Sequence, residues 1–85
     1  MSYRIDIPRA AAKEIAAVAE PQRGRITAAI LALADDPRPT DCVKMTGFAD
    51  LYRIRIGDYR ATYHVQDRVL VVLVVKVGHR RDVYR

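Results

Sequence analysis

The sequence predicts an α+β domain in the order β-α-α-β-β-β, with a helical hairpin packed on one face of a small, mostly antiparallel sheet. Three observations support this prediction. Two segments in the N-terminal half carry apolar residues at helical spacing. Short segments before and after them alternate between apolar and polar residues, as half-buried strands do. Proline, glycine and aspartate mark the boundaries, and no linker divides the 85 residues into two domains.

The N-terminal half is expected to supply the first strand and both helices. Residues 3–7 alternate and predict a short strand. Residues 10–19 are rich in alanine and predict an amphipathic helix, which Glu20-Pro21 ends because the residue before proline disfavours helical geometry. Residues 22–34 predict a second helix. It would bury three residues at helical spacing: Ile26, Ile30 and Leu33.

The C-terminal half is expected to supply three further strands. Residues 42–45 predict a brief strand, and residues 51–63 predict a β-hairpin. Residues 69–77 are apolar on both faces, which predicts a central strand that Gly78 ends. One face of this strand would pack on the helices, and the C-terminal tail or a partner protein would cover the other.

The hairpin carries the strongest functional signal. Its Gly57-Asp58 loop is typical of a two-residue turn, since glycine supplies the positive φ that such a turn needs. This loop predicts three cross-strand pairs: Ile56 with Tyr59, Arg55 with Arg60, and Arg53 with Thr62. Like charges directly across a sheet are unfavourable. The pattern favours an anion site, where guanidinium groups bind phosphate oxygens, although the arginines could also simply solubilise an exposed face.

The opposite face of the hairpin is expected to be structural. Tyr52, Tyr59 and Tyr63 alternate with the basic residues and are predicted to pack in the core. Cys42, the single cysteine, is also expected to pack there. One cysteine excludes a disulfide within the chain, and the first residues lack the apolar segment of a secretory signal. A cytoplasmic location is therefore expected.

The net charge of +5 lies entirely in the C-terminal part of the chain. Residues 1–50 hold seven basic and seven acidic residues, whereas residues 51–85 hold eight basic and three acidic ones. Such asymmetry is typical of a surface that binds a polyanion. Nucleic acid is the expected polyanion, since no basic amphipathic helix indicates a membrane surface and the longest apolar run is too short to span one.

Four segments in order resemble the RelE group of the RelE/ParE toxin superfamily. They are the helix exit Asp36-Pro37-Arg38, the strand VKMTG at 43–47, the hairpin LYRIRIGDYR at 51–60 and the ending VGHRRDVY at 77–84. The element order also resembles that of this group. The resemblance covers essentially the whole chain and implies that residues 1–85 form a single RelE-like toxin domain.

The resemblance implies the toxin of a type II toxin–antitoxin pair that acts as a ribosome-dependent mRNA endoribonuclease. In the RelE manner, the toxin enters the ribosomal A site and the ribose 2′-OH attacks the adjacent phosphate, which leaves a 2′,3′-cyclic phosphate and a 5′-OH. No metal or other cofactor is implied. The protein must align the 2′-OH, offset the charge of the transition state and assist the proton transfers.

The same resemblance assigns site residues. The implied catalytic set is Arg53, Arg55, Arg60, Arg80 or Arg81, and Tyr84, with His79 as a further candidate. The implied RNA contacts are Arg53, Arg55, Arg60, His64, Arg81 and Arg85. The two first-strand positions are often lysine in the family. An arginine, with a pKa above about 12, is better suited to clamp phosphate than to act as a base.

The proton donor and acceptor stay open on the sequence alone. An imidazole ordinarily titrates near neutrality, so either His64 or His79 is a candidate to move protons. Tyr84 is expected to stack on a base, to donate a proton to the leaving 5′-oxygen, or to anchor the tail to the sheet. The hairpin register places His64 on the same face as Arg60.

The resemblance also implies partners: a RelB-like antitoxin, the ribosome with its mRNA, and operator DNA bound through the toxin–antitoxin complex. The antitoxin helix is expected on the sheet face that the toxin's helices leave uncovered, in contact with Leu51, Val71 and Leu73. Two other functions stay open. ParE-type toxins of this fold inhibit DNA gyrase without chemistry of their own, and a degenerate toxin would retain only antitoxin binding.

Overall fold

The computed structural model describes residues 2–79, in which two helices pack on one face of a five-stranded sheet. The elements are β1 (Arg4–Asp6), α1 (Arg9–Ala16), α2 (Gln22–Ala32), β2 (Val43–Lys44), β3 (Leu51–Ile56), β4 (Tyr59–Gln66) and β5 (Val71–His79). The predicted α+β fold and element order are confirmed. The predictions for Arg80, Arg81, Tyr84 and Arg85, and for the tail as a cover of the sheet, lie outside the described residues.

The strands are arranged in the order β1-β5-β4-β3-β2. β1 runs parallel to β5, and the other neighbours are antiparallel. β5 therefore lies inside the sheet, as its apolar character predicts. No helix among residues 2–79 is long and apolar enough to cross a membrane.

The hairpin between β3 and β4 has the predicted register. The observed pairs include Ile56 with Tyr59, Arg55 with Arg60, and Arg53 with Thr62. Gly57 has a φ of 61°, a conformation that side chains with a Cβ rarely adopt. The two-residue loop therefore sets which residues of the two strands meet.

A β-bulge in β5 alters the alternation of its side chains. Thr62 pairs with Lys76 and the next residue, Tyr63, pairs with Val74, so Val75 is an extra residue. Val74 before the bulge and Val77 after it are consequently both buried, at 0% and 2% exposure. Without the bulge, one of these two side chains would point away from the core.

The predicted limits of β5 were wrong at both ends. Residues 69 and 70 belong to the preceding turn, where Leu70 has a φ of 56°. At the other end Gly78 does not end the strand, because Tyr59 at the start of β4 still pairs with His79. A glycine weakens a strand, but here the neighbouring strand continues to supply hydrogen-bond partners.

The helices are shorter than predicted but bury the predicted residues. Ile26, Ile30 and Leu33 are at most 1% exposed. α1 ends at Ala16, and α2 ends at Ala32. After each of them the chain makes hydrogen bonds to the third residue back, which tightens the last turn.

The core lies between the helices and one face of the sheet. The tyrosines behave as predicted: Tyr63 is fully buried, stacks on Tyr52 with ring centroids 6.1 Å apart, and donates a hydrogen bond to the Pro37 carbonyl (2.8 Å). Tyr59 and Cys42 also pack against the core, and burial raises the pKa of Tyr63. The hydrogen bond to the Pro37 carbonyl offsets the cost of burying the Tyr63 hydroxyl.

An ion pair joins the exit of α2 to the turn between β4 and β5. Arg38 Nη2 donates to Asp67 Oδ2 at 2.7 Å, and the Tyr3 hydroxyl donates to Asp67 Oδ1 at 2.6 Å. The guanidinium of Arg38 also lies over the ring of Tyr52, 5.2 Å from its centroid. These contacts tie β1, the loop and the turn together at the end of the sheet opposite the hairpin loop.

Candidate anion-binding face of the sheet

The sheet face opposite the helices, here called the arginine face, gathers the basic residues of the hairpin. Ile54 and Ala61 point into the core, at 4% and 0% exposure. Because side chains alternate along a strand, Arg53, Arg55 and Arg60 project from the other face. The structure therefore brings together the three hairpin arginines that the sequence singles out.

Cross-strand rows order this face. The row nearest the hairpin loop holds Arg55, Arg60 and Gly78, and the next holds Arg53, Thr62 and Lys76. Directly opposite residues lie about 4.5–5.5 Å apart at Cβ. Arg55 and Arg60 are therefore close enough to bind one phosphate together.

The arginines differ in their surroundings. Two guanidinium nitrogens of Arg60, Nε and Nη1, are buried, whereas Arg55 is exposed. Arg55 Nε donates to the carbonyl of Gly57 at 3.0 Å, which directs this side chain towards the loop. The guanidinium of Arg60 is thus partly buried, and Arg55 is the more accessible cation beside it.

The third row combines apolar residues with a histidine. Leu51, His64 and Leu73 lie opposite one another across three strands, and Asp6 of β1 pairs with Leu73. Val71, on the same face two residues before Leu73, is 7% exposed. The three residues predicted to contact an antitoxin therefore share one face with the arginines.

His64 has a carboxylate partner that the sequence reasoning missed. Its Nδ1 lies 2.9 Å from Asp50 Oδ1, and the backbone carbonyl of Asp50 accepts a hydrogen bond from Val65 N at 3.0 Å. Asp50 directly precedes Leu51, which pairs with His64. The hairpin register, continued one residue further, would have identified this pair.

Lys76 also lies in the second row of the arginine face, but its ammonium group contacts α1. Glu14 accepts a hydrogen bond from Lys76 Nζ at 3.1 Å and another from Val77 N at 2.9 Å. The carboxylate thereby binds both the side chain and the backbone next to the bulge. Lys76 therefore supports the strand geometry, and its ammonium group is directed towards α1.

His79 occupies a different position from the other candidates. It pairs with Tyr59, a core-side residue, and its ring meets the Tyr59 ring edge-on at 5.4 Å. Both line a cleft of about 500 Å³ beside the hairpin loop, together with Arg25 and Arg55. Arg25 is a basic residue that the sequence analysis missed, because nothing in the periodicity of α2 indicates what its exposed face adjoins.

The arrangement is suited to binding anions. Three arginines lie on one face of a paired sheet, and Arg55 also lines the basic cleft. The planar guanidinium group matches the geometry of phosphate oxygens. Among residues 2–79, no three His, Cys, Asp or Glu side chains are arranged to hold a metal ion. The predicted roles of individual residues stay predictions.

A family model described as the ParE toxin of type II toxin–antitoxin systems, parDE, matches residues 5–84. A chain of the archaeal RelE–RelB complex from Pyrococcus horikoshii OT3 has a TM-score of 0.83 and 30% identity, covering 94% of this chain and 97% of that chain. A mutant of the E. coli toxin RelE in the free state has a TM-score of 0.80 and 29% identity, covering 99% and 92%. A comparison with curated proteins gave no match.

A more distant similarity shows only the fold. A chain of the RelBE2 toxin–antitoxin complex from Mycobacterium tuberculosis has a TM-score of 0.80 at 18% identity, covering 94% of this chain and 93% of that chain. The family match spans nearly the whole sequence, and the similar structures share the helical hairpin and the five-stranded sheet. The chain therefore belongs to the ParE toxin family of type II toxin–antitoxin systems and is a RelE-like toxin of the RelE/ParE superfamily.

Proposed function

We propose that this toxin is a ribosome-dependent mRNA endoribonuclease. In the proposed reaction the ribose 2′-oxygen forms a bond to the adjacent phosphorus, and the bond from phosphorus to the 5′-oxygen breaks. The products are a 2′,3′-cyclic phosphate and a 5′-OH. The toxin would act in the cytoplasm on translating ribosomes, which supply much of the alignment of the mRNA.

The single observation that carries this proposal is the placement of Arg55 directly opposite Arg60, with Arg53 in the next row of the same face. Two like charges across a sheet reduce stability, so the pair needs another explanation. A phosphate bound between them offsets the repulsion. As negative charge builds on the phosphate oxygens in the transition state, the same donors bind more strongly.

The remaining site residues follow from the resemblance. Arg80 or Arg81 and Tyr84 would complete the site from the tail, and Arg85 would contribute to RNA binding. His79 lies on the core side of β5, so it would act from the basic cleft rather than from the arginine face. The 30% identity to the Pyrococcus horikoshii complex supports the RelE interpretation.

A RelB-like antitoxin is the proposed protein partner, as the similar structures include RelE–RelB complexes. Leu51, Val71 and Leu73 would receive its helix. Docking there would cover the face that holds Arg53, so the antitoxin would inhibit by blocking RNA access. Binding of operator DNA would then be a property of the complex.

Inhibition of DNA gyrase is the second candidate function. The observation that favours it is the family model itself, which is described as the ParE toxin of the parDE system. Gyrase inhibition does not require an arginine pair on the sheet. Removing one of these arginines therefore separates the two functions.

The test is primer extension on a defined mRNA in a reconstituted translation mixture, with and without ribosomes. The wild type should cut within codons only when ribosomes are present, and Arg60→Ala should lower the cleavage rate at least about 100-fold, since loss of one transition-state donor costs this much in other enzymes. Arg68→Ala is the matched control, because it removes the same charge from an exposed turn at the other end of the sheet. Adding antitoxin should stop cleavage by the wild type.

Intact mRNA with the wild type, where a known RelE toxin cuts, would contradict the proposal. A gyrase supercoiling assay would then be run on the same preparations. Inhibition that survives Arg60→Ala would establish the ParE-type function. A protein that binds antitoxin but is inactive in both assays would be a degenerate toxin.

A further inference from the structure

The three hairpin arginines supply no proton acceptor. Attack by the 2′-OH requires that its proton leave, and a guanidinium group does not accept it, because the pKa of arginine is above about 12. Arg53, Arg55 and Arg60 can stabilise charge but cannot serve as the base. Another group therefore has to take the proton.

Apart from the arginines, three ionisable side chains of the described residues lie on this face in the row of Arg53 or in the row beyond it. Lys76 is in the row of Arg53, and His64 and Asp6 are in the row beyond. Lys76 is held at the bulge by Glu14, which directs its ammonium group towards α1 and away from the arginines. Asp6 is at the far end of its row, two strands away from His64, or roughly 10 Å. An imidazole titrates near neutrality, which suits a general base at the pH of the cell.

The position of His64 fits this task. Arg53 pairs with Thr62, two residues from His64 on β4, so Arg53 and His64 are diagonal neighbours about 7–8 Å apart at Cα. Both side chains are long enough to reach a phosphate and its ribose placed between them. A phosphate clamped by Arg53 would therefore present the neighbouring 2′-OH to the imidazole.

Asp50 sets the orientation of the ring. A carboxylate only accepts hydrogen bonds, so its contact at 2.9 Å places the proton on His64 Nδ1 and leaves Nε2 as the acceptor. Leu51 and Leu73 flank the imidazole on either side in the same row. A ring held in one tautomer between two apolar side chains is positioned to act through Nε2.

We infer that His64 is the general base of the RNA cleavage reaction and that Asp50 is the residue that positions it; this inference rests on the proposed function. The 2′-OH proton moves to His64 Nε2 as the 2′-oxygen bonds to phosphorus. The bond to the 5′-oxygen breaks, and this oxygen takes a proton from water. The imidazolium then returns its proton to solvent, so the enzyme is regenerated.

Several charged groups face His64 and would shape its pH response. On β3 and the residue before it these are Arg53 and Asp50, on β5 Lys76, and on β1 Asp6. Replacing a carboxylate beside an imidazole with a neutral amide disfavours the protonated ring. The Asp50→Asn variant should therefore move the acidic limb of the rate profile to lower pH.

The test measures the single-turnover cleavage rate at saturating toxin on programmed ribosomes from pH 5 to 9. His64→Gln should lower the rate about 10²–10⁴-fold and abolish the acidic limb of the profile. Asp50→Asn should lower the rate less and shift the limb. Gln66→Ala, two residues along the same face, should match the wild type.

A substrate with a 5′-bridging sulfur separates base from acid catalysis, because a thiolate leaves without a proton. The rate defect of His64→Gln should persist on this substrate. Relief of the defect would assign His64 to the leaving group and overturn the inference. A wild-type rate and pH profile in His64→Gln would also overturn the inference, and a large loss of cleavage rate in His79→Gln would then point to His79 instead.

Two controls keep the outcomes distinct. Denaturant unfolding and circular dichroism show whether His64→Gln and Asp50→Asn are folded. Nitrogen-15 spectra of the free toxin should show the Nδ1–H tautomer at His64, and the Nε2–H tautomer would contradict the argument independently of activity. Failure of the wild type to cleave would overturn the proposed function and this inference together, whereas cleavage that is lost only in Arg60→Ala would overturn this inference alone.

Discussion

The two faces of the sheet differ more than any other two regions of the molecule. The face under the helices carries buried apolar residues and tyrosines, of which Tyr63 and Val74 are fully buried. The arginine face carries the three hairpin arginines and His64, although both faces are built from the same strands. Because side chains alternate along β3 and β4, the residues that stabilise the fold and the candidate functional residues lie on opposite faces of the sheet. Residues on one face can therefore change for function with little effect on the core.

The separation of the two faces depends on two local features of the backbone, a turn and a bulge. The Gly57 loop fixes the hairpin register, and a shift by one residue would exchange the faces of every side chain in one strand. The bulge at Val75 adds one residue to β5, so that the side chains on both sides of the bulge still point into the core. Glu14 stabilises that bulge through Val77 N, so a charged group of α1 protects the geometry of a strand.

The largest expected effect lies on the core face. Tyr63→Ala should lower the free energy of unfolding by about 3–5 kcal/mol, because it leaves a large cavity and removes the contact with Tyr52. Tyr63→Phe keeps the ring and should cost only about 1 kcal/mol for the hydrogen bond to Pro37. Urea unfolding measures both. Equal losses in the two variants would show that the hydrogen bond, rather than packing, dominates at this position.

A smaller effect of opposite sign is expected on the arginine face. Arg55→Glu replaces a like-charge pair with an ion pair opposite Arg60, and should raise the free energy of unfolding by a few tenths to about 1 kcal/mol. Cleavage should be lost in the same variant. Urea unfolding at low salt and the primer-extension assay provide the two measurements.

Arg55→Gln is the matched variant, since it has a similar length without the charge. Both replacements remove the Nε–H that Arg55 donates to Gly57, but the Gln amide can donate in its place and the Glu carboxylate cannot. A Glu variant that is more stable than the Gln variant therefore owes the gain to its charge. The advantage of the Glu variant should shrink in 1 M salt, because exposed charges are then screened. A Glu variant no more stable than the Gln variant at low salt would show that repulsion between Arg55 and Arg60 is not a cost to the fold.

The sequence was sufficient for the features that depend on local pattern. The hairpin register follows from a two-residue loop and strict alternation, and these place Arg53, Arg55 and Arg60 on one face. Ile26 and Ile30 follow from helical periodicity. The predicted end of β5 was wrong because the partner strand, rather than Gly78 alone, decides where pairing stops.

Contacts between segments that are distant in the chain could not be predicted from the sequence. Glu14 meets Val77 across 63 positions, and Arg38 meets Asp67 across 29. No periodicity encodes such pairs, because they depend on where helices and turns lie after folding. Arg25 belongs to the same class, since its proximity to Arg55 arises only when α2 packs beside the hairpin loop.

The smallest expected effect concerns an arginine that serves the fold rather than RNA. Arg38 donates to Asp67 and holds the pKa of that carboxyl below its ordinary value, and the Tyr3 hydroxyl adds to the shift. A lowered pKa in the folded state means that this stabilisation is complete above the ordinary aspartate pKa, about 3.9, and is lost as the pH falls through the folded value. Asp67→Asn should therefore be slightly less stable than the wild type at pH 7, and the difference should vanish in strong acid.

Urea midpoints from pH 7 to pH 2.5 measure this convergence, and a double-mutant cycle with Arg38→Gln isolates the pair. A stability difference that stays constant down to pH 2.5 would show that Asp67 supports the turn through its shape rather than its charge. Convergence would show that the charge of Arg38 stabilises the fold, in contrast to the proposed role of the hairpin arginines in binding RNA.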